Sequence, residues 1–395
     1  MFYALAVAKA LVVLAVLLVT LVYIQWVERK VIAHIQRRLG PFRVGPHGLL
    51  QPLADALKLI TKEDLVPPHA HKFFFLLAPF LAVALALISI AVIPFGGEVE
   101  IWGVKTALQL SDPNIGLLLI FAVTSLGVYG IALAGWASNN KYALFGGLRS
   151  SAQMISYELS LSLGVVGALL LSGSLSLRRI VEAQSGYYWG FLPRWNVFQG
   201  PWPQALGFLV YLIAAFAETN RIPFDLPEAE TELVAGFHTE YSSMKFALFF
   251  MAEYANMITV SCLATVLFLG GWHPPLPQSW GIHYLPVPLF WLGAGMLFYH
   301  SQAHPPGKQR LSMHVFGVIF GVMGAVFLLE PVRAVFAGPF WFAVKSSFFL
   351  FLYIWIRGTL PRFRYDQLMH FGWKILFPVG IANVLATGLM VALFG

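Results

Sequence analysis

Long apolar segments alternate with short polar segments along most of this chain. Eight of them are candidates for membrane-spanning helices, at residues 4–26, 73–95, 115–135, 153–172, 202–217, 244–270, 339–357 and 372–394. Two weaker apolar segments, 286–300 and 313–330, lie between the sixth and the seventh. An apolar run of about 18 or more residues is typical of a transmembrane helix. The pattern therefore predicts 8 to 10 membrane-spanning helices.

The composition supports this interpretation. The chain is 58% hydrophobic and only 11% charged, whereas a soluble domain has about 25% charged residues. Lipid cannot hydrogen-bond an open backbone, and the inward–outward alternation of a barrel strand is missing, so the spans should be helices. We therefore expect an all-α, polytopic integral membrane protein whose residues 1–395 form a single membrane domain, and whose first apolar segment stays as a helix.

One further helix is predicted outside the spans. In the run from Leu49 to Lys62, Leu53, Leu57 and Ile60 recur at helical spacing, while the charged side chains lie elsewhere. This pattern is typical of an amphipathic helix lying at the membrane interface.

The basic residues are unevenly distributed. Loops 28–72, 136–152, 218–245, 302–312 and 357–374 hold 18 of the 25 lysines and arginines. The positive-inside rule then predicts that these loops are cytoplasmic. Loop 302–312 falls on that side only if both weak segments span, which favours ten helices.

Metal chemistry has little support. The lone Cys262 excludes an intramolecular disulfide and a cysteine-ligated iron–sulfur cluster within the chain, and it is best interpreted as a small core residue. His300 and His304 are four residues apart, but two prolines follow directly. We therefore expect no metal site.

The acidic residues are concentrated in one loop. Six of the 18 lie between 218 and 240, namely Glu218, Asp225, Glu228, Glu230, Glu232 and Glu240. Glu228 and Glu232 are four apart, a repulsive pair on a helix, and Arg221 is the nearby cation. If a partner covers the loop, these carboxylates would share protons. The alternative is a solvated helix capped by Asp225.

Two acids lie inside predicted spans. Glu158 and Glu253 are about 8 Å and 12 Å into their helices from the predicted cytoplasmic ends. A charge there costs roughly 2.5 kcal/mol or more, so such an acid suggests a function, although pairing with a basic loop residue is the alternative. Lys345 is ambiguous, and snorkelling to the opposite interface is the slightly favoured interpretation.

The loops as a whole resemble one family, which comprises the first subunit of the mitochondrial NADH dehydrogenase and the H subunit of bacterial NADH:quinone oxidoreductase (complex I). The matching segments are Glu28-Arg29-Lys30, Gln36-Arg37-Arg38-Leu39-Gly40-Pro41, Gly48-Leu49-Leu50-Gln51-Pro52, Trp136-Ala137-Ser138-Asn139-Asn140, Asn220-Arg221-Ile222-Pro223-Phe224-Asp225 and Arg364-Tyr365-Asp366-Gln367.

The resemblance implies a chamber that admits ubiquinone or menaquinone from the lipid, and a proton path leading from it. Quinone contacts would come from Arg38, Asp55, Arg221, Phe224 and Asp225, and proton handling from Glu158, Glu218, Glu228, Glu230, Glu232 and Glu253. No cofactor would be bound covalently, and FMN and the iron–sulfur clusters would belong to partner subunits. The expected partners are hydrophilic-arm subunits, small membrane subunits leading to antiporter-like subunits, and lipid, but no nucleic acid. The expected location is the bacterial inner membrane.

Two departures and two alternatives remain. Phe42 stands where the family commonly has asparagine, and residues 273–338 form an inserted segment that we interpret as an extra helical hairpin. The chain could instead serve a hydrogenase or a ferredoxin- or deazaflavin-linked complex. A stand-alone proton-coupled transporter would also bury carboxylates.

Overall fold

The computed structural model describes residues 2–101, 103–225, 234–302 and 307–394. Its long helices are α1 (Phe2–Ile35), α3 (Lys72–Ile90), α4 (Gly116–Ala137), α5 (Lys141–Ser172), α7 (Ala205–Glu218), α8 (Ser243–Phe268), α9 (Pro286–Gln302), α10 (Lys308–Val326), α11 (Glu330–Thr359) and α13 (Phe377–Phe394). The shorter ones are α2 (Gln51–Thr61), α6 (Leu177–Ala183) and α12 (Tyr365–Phe371), and a π-helical turn, Gly372–Leu376, joins α12 to α13.

Within the described ranges, nine helical segments are long and apolar enough to cross a membrane. They include both weak segments, which form α9 and α10. The tenth, α7, has 14 residues and is about 21 Å long, which is shorter than the hydrocarbon core. The prediction of a polytopic all-α membrane protein is confirmed.

Several predicted boundaries were wrong. Helix α5 begins at Lys141, 12 residues before the predicted start at 153, and α11 begins at Glu330 rather than at 339. Both helices continue beyond their apolar stretch through small and polar residues. Hydropathy marks the part of a helix that suits lipid, and it does not mark where the backbone stops being helical. Glu158 therefore lies near the middle of α5, farther along the helix from its first residue than predicted.

Loop residues 36–71, 138–140, 219–242 and 360–364, in their described parts, meet at one end of the helices, which we call the acidic-loop end. The bonds that join them are Leu65 N to Ser242 Oγ (3.3 Å), His71 N to Ala137 O (3.0 Å), Asn140 Nδ2 to Glu240 Oε1 (2.6 Å) and Phe363 N to Pro223 O (3.0 Å). Four loops expected on one side of the membrane thus lie together. Which side they face stays a prediction.

Residues 91–115, 173–204 and 269–281 cover the opposite end, which we call the hairpin end. They contain two short antiparallel pairs that the sequence analysis did not predict, β1 (Glu98–Ile101) with β2 (Val104–Ala107) and β3 (Tyr187–Tyr188) with β4 (Leu192–Pro193). Gly103 has a φ of 75°, which glycine adopts without strain at the first turn.

Lys345 also reaches the hairpin end. Its Nζ donates to the carbonyls of Leu269 (2.6 Å), Gly271 (2.9 Å) and His273 (2.6 Å), and it lies 4.4 Å from the ring centroid of Trp195. The amine therefore lies buried among loop carbonyls at this end, rather than exposed at the interface as snorkelling would place it.

The core lies where α3, α4, α5, α7 and α8 pack together, with Phe75, Tyr157 and Tyr211 fully buried. Helices α5 and α7 approach closely at Gly164, where a Cβ would lie 2.8 Å from the backbone nitrogen of Tyr211. Small residues allow such close packing between helices in a membrane. In contrast, Leu53, Leu57 and Ile60 of α2 are exposed, as expected for an interfacial helix.

Candidate functional site

The chain that leaves α7 is held by a glutamine on α5. Gln153 Nε2 donates to the carbonyl oxygens of Ala217 (2.8 Å) and Phe224 (2.7 Å). Because both carbonyls bind one buried amide, the segment between them is folded back under α5. This places Arg221 inside the helix bundle and not in solvent.

Arg221 is the cation at the centre of the site, and it is only 6% exposed. Its Nη1 binds Glu28 Oε1 of α1 at 3.2 Å, and its Nε lies 2.5 Å from Glu253 Oε1 of α8. Its guanidinium also lies 4.2 Å from the ring centroid of Tyr254. One loop residue thus links carboxylates from two different helices, and Glu253 is brought to the acidic-loop end.

Glu28 is the functional candidate that the sequence analysis missed. It is 3% exposed and accepts a hydrogen bond from the Tyr254 hydroxyl at 2.7 Å. It also pairs with Arg357 of α11 as well as with Arg221. Hydropathy places it at the start of a polar loop, but α1 continues to Ile35. An acid seven residues before the end of a membrane helix is the signal that would have found it.

The positive and negative charges of this four-residue cluster are equal in number. Glu28 and Glu253 supply two negative charges, while Arg221 and Arg357 supply two positive ones. Buried charges persist when they are paired and hydrogen-bonded, and removal of one partner leaves an uncompensated charge. The cluster is therefore sensitive to any change of charge beside it.

Glu158 and Glu218 are two further carboxyl groups, and they lie on helices α5 and α7. Glu158 of α5 accepts a hydrogen bond from Ser125 of α4. Glu218 ends α7, and its Oε2 is buried with no hydrogen-bond partner among the described residues. The two carboxyl groups are close enough for their charges to repel.

Two adjoining cavities border Glu218, because Met154, Glu218 and Asn256 line both of them, whereas Glu158 is not among their described lining. The first cavity also touches Glu253, Asn220 and His238 at the acidic-loop end. The second extends toward Thr124 and Thr259 in the helix interior. The cavity walls are mainly apolar, and Glu218, Glu253, Asn220, Asn256 and His238 supply the polar groups that ordered water would need as partners.

Known proteins are similar to this chain over nearly its whole length. The sequence model of a family described as NADH dehydrogenase matches residues 8–388. The chain belongs to this family. It is 60% identical over 391 residues to the first of the NADH-quinone oxidoreductase H subunits of Solibacter usitatus, covering 99% of this chain and 98% of the relative. The second H subunit of Koribacter versatilis is 54% identical, covering 100% and 98%, and the first H subunit of Geobacter sulfurreducens is 46% identical, covering 99% and 96%.

These relatives bear on the alternatives. None of the three names refers to a hydrogenase, a ferredoxin-linked complex or a solitary transporter. Membership of the NADH dehydrogenase family, together with the nine apolar helical segments in the described ranges, makes the chain a multi-pass membrane protein.

Asp55 and Arg38 lie in the first loop, and the family resemblance predicts that both contact quinone. Asp55 of α2 pairs with Arg29 of α1 at 2.5 Å and accepts a hydrogen bond from Gln51 at 2.9 Å. Arg38 is exposed, and its Nε donates to Gln36 Oε1 at 2.7 Å. The structure therefore does not bring Arg38 into the Arg221 cluster, and Asp55 ties α2 to α1.

Phe224 and Asp225 face the loop after α11. Phe224 stacks on Phe363 with ring centroids 5.5 Å apart, and Asp225 Oδ2 pairs with Arg362 Nη2 at 3.0 Å. Both residues are buried. These two contacts hold the acidic loop against residues 360–364.

The remaining candidates, Glu228, Glu230 and Glu232, lie outside the described residues, as does the capping pair of Asp225 with Glu228. Of the histidine pair considered for a metal, His304 also lies outside them. Within the described part of the chain, no group of three His, Cys, Asp or Glu side chains could hold a metal ion. Cys262 is buried and free, as expected for a core residue.

Proposed function

We propose that this chain is the membrane subunit of a NADH:quinone oxidoreductase that links quinone reduction to proton translocation. The observation that carries this proposal is the cluster of Arg221 with Glu28 and Glu253, since Glu253 lines a cavity that Glu218 also lines. The relatives named as H subunits of that enzyme support it.

The physical link is electrostatic. Reduction of a quinone to a quinol takes up two electrons and two protons, so it changes the charge and proton balance of its surroundings. The Arg221 cluster has equal numbers of positive and negative groups, and a charge change nearby would shift the protonation of carboxylates that have little water to screen them. Glu253 and Glu218 face one cavity, so a proton displaced at one acid can reach the other.

The substrate would be ubiquinone or menaquinone, walled on one side by Arg38, Asp55, Arg221, Phe224 and Asp225. This chain supplies no covalently bound cofactor, and FMN and the iron–sulfur clusters belong to partner subunits. Glu228, Glu230 and Glu232 would extend the proton path from the chamber to Glu218, Glu253 and Glu158.

The acidic-loop end would face the bacterial cytoplasm and dock the hydrophilic-arm subunits. Exposed Arg37, Arg38 and Arg43 lie there, and the ordered turns of this loop suit a protein partner better than lipid attraction alone. Small membrane subunits leading to antiporter-like subunits, and lipid, would surround the helices in the inner membrane. Segment 273–338 would be an added hairpin packing against lipid or a partner.

The test is Glu253→Gln in the whole complex, reconstituted in vesicles, with NADH oxidation by quinone and proton pumping measured on the same sample. We expect pumping per quinone reduced to be largely lost, because a glutamine side chain cannot take up and release a proton, while NADH oxidation by an artificial acceptor is unchanged. Glu182→Gln, an exposed acid at the hairpin end, is the matched control and should leave both activities normal. Normal pumping by the Glu253 variant would refute the proposal.

A further inference from the structure

His238 lies on the acidic loop where the loop meets the cavity. It ends a single 3₁₀ turn, Gly236–His238, that packs against α5. A Cβ on Gly146 of α5 would lie 2.6 Å from the Cα of Gly236, so backbone meets backbone at this contact. The backbone turn that carries the imidazole is thus held directly against helix α5.

The imidazole is surrounded by aromatic rings and is only 5% exposed. The ring centroids lie at 3.8 Å for Phe237, 5.4 Å for Phe249, 5.6 Å for Phe246 and 5.7 Å for Phe250. Four phenylalanines exclude bulk water from most of the ring. His238 differs from a fifth phenylalanine at this position in its two ring nitrogens, which can bind and release a proton.

One side of His238 borders the cavity that also touches Glu218 and Glu253, and these three are the titratable side chains among its described lining. Helices α3, α4 and α5 contribute the uncharged Ala82, Gly127, Ile131 and Met154. The other charged groups nearby point elsewhere, since Lys245 pairs with Asp64 at 2.8 Å and Glu240 binds Asn140.

We propose that His238 is a proton-transfer residue that connects the acidic loop to Glu218 and Glu253 through this cavity. A neutral imidazole has one nitrogen that accepts a proton and one that donates, so it takes up a proton on one side and releases one on the other. The imidazolium formed in between returns to the neutral ring, and the net change is one proton moved from the loop to a cavity carboxylate. This inference rests on the proposed function and adds a residue to it.

The first test is His238→Gln in the whole reconstituted complex, which keeps a polar side chain but cannot titrate. We expect pumping per quinone reduced to be largely lost, with NADH oxidation by an artificial acceptor unchanged. The control is His283→Gln at the hairpin end, which should pump normally. Pumping equal to that of the wild type would overturn the inference.

A second variant distinguishes loss of proton transfer from failure of the complex to assemble. Nδ-methylhistidine placed at residue 238 keeps the ring and its charge but blocks one nitrogen, so an assembled complex should still lose pumping. Normal pumping by this variant would overturn the inference even if His238→Gln fails to assemble. If Glu253→Gln loses pumping while both variants at residue 238 pump normally, the proposed function stands and only His238 is removed from the proton path.

Discussion

Replacement of Glu28 by glutamine tests the charge cluster directly. The Glu28 carboxylate pairs with Arg221 and Arg357 and accepts a hydrogen bond from Tyr254. In Glu28→Gln the shape is kept, but the buried guanidinium of Arg221 and the partly exposed guanidinium of Arg357 remain, and Glu253 pairs with only the first of them among the described residues. We therefore expect a large loss of stability from a change of very few atoms.

The size of the effect follows from burial. Breaking a buried ion pair by removing one partner costs about 3–5 kcal/mol, which lowers the ratio of folded to unfolded protein by roughly two to four orders of magnitude. The matched control is Asp55→Asn, because Asp55 and Arg29 form a comparable pair whose side chains are 29% and 52% exposed. An exposed pair contributes about 0–1 kcal/mol.

The assay is heating of the purified complex in detergent at a fixed rate, followed by native electrophoresis to find the temperature at which this subunit is lost. The Glu28 variant should lose it well below the wild type, and the Asp55 variant close to it. Addition of Arg357→Gln to the Glu28 variant should recover part of the loss, because the unpaired cation is then removed. Equal stability of the Glu28 and Asp55 variants would refute the buried-cluster account.

Three further predictions follow from other contacts. Lys345→Met removes the donor shared by three loop carbonyls and should cost about 1–3 kcal/mol in the same heating assay, whereas the exposed Lys374→Met should cost almost nothing. Gly146→Ala places a methyl group against the backbone of the turn that carries residue 238, so it should lower pumping more than assembly; unchanged pumping would contradict the close contact. Arg178 lowers the pKa of Glu98 from its ordinary value of 4.5. Their ion pair therefore stabilises the fold fully above pH 4.5, and this contribution disappears as the pH falls through the lower folded-state pKa. Glu98→Gln should reduce this loss of stability in acid, and a pH dependence of stability identical to that of the wild type would contradict the prediction.

Much of the architecture could be predicted from hydropathy, because the cost of exposing polar groups to lipid is large and local in sequence. The weak segments near 286–300 and 313–330 both form helices, and charge asymmetry had favoured that outcome. The β1 and β2 strands were not predicted, because a four-residue pair at a loop has too few residues to show alternation.

The site was only partly predictable. An acid inside a span, such as Glu253, is conspicuous in sequence, yet its partner Arg221 comes from a distant loop that only the folded chain brings near. Glu28 was missed because polarity was taken as the end of α1. His238 has no spacing pattern, and its environment of four aromatic rings exists only in three dimensions.

The central claim is that buried carboxyl groups of this chain exchange protons when quinone is reduced. Infrared difference spectroscopy of the whole complex, before and after reduction of bound quinone, measures this in the carboxylic-acid C=O stretching region. The account predicts a change there that disappears in Glu218→Gln and remains in Glu182→Gln. A spectrum that is the same in the wild type and in the Glu218 variant would contradict it.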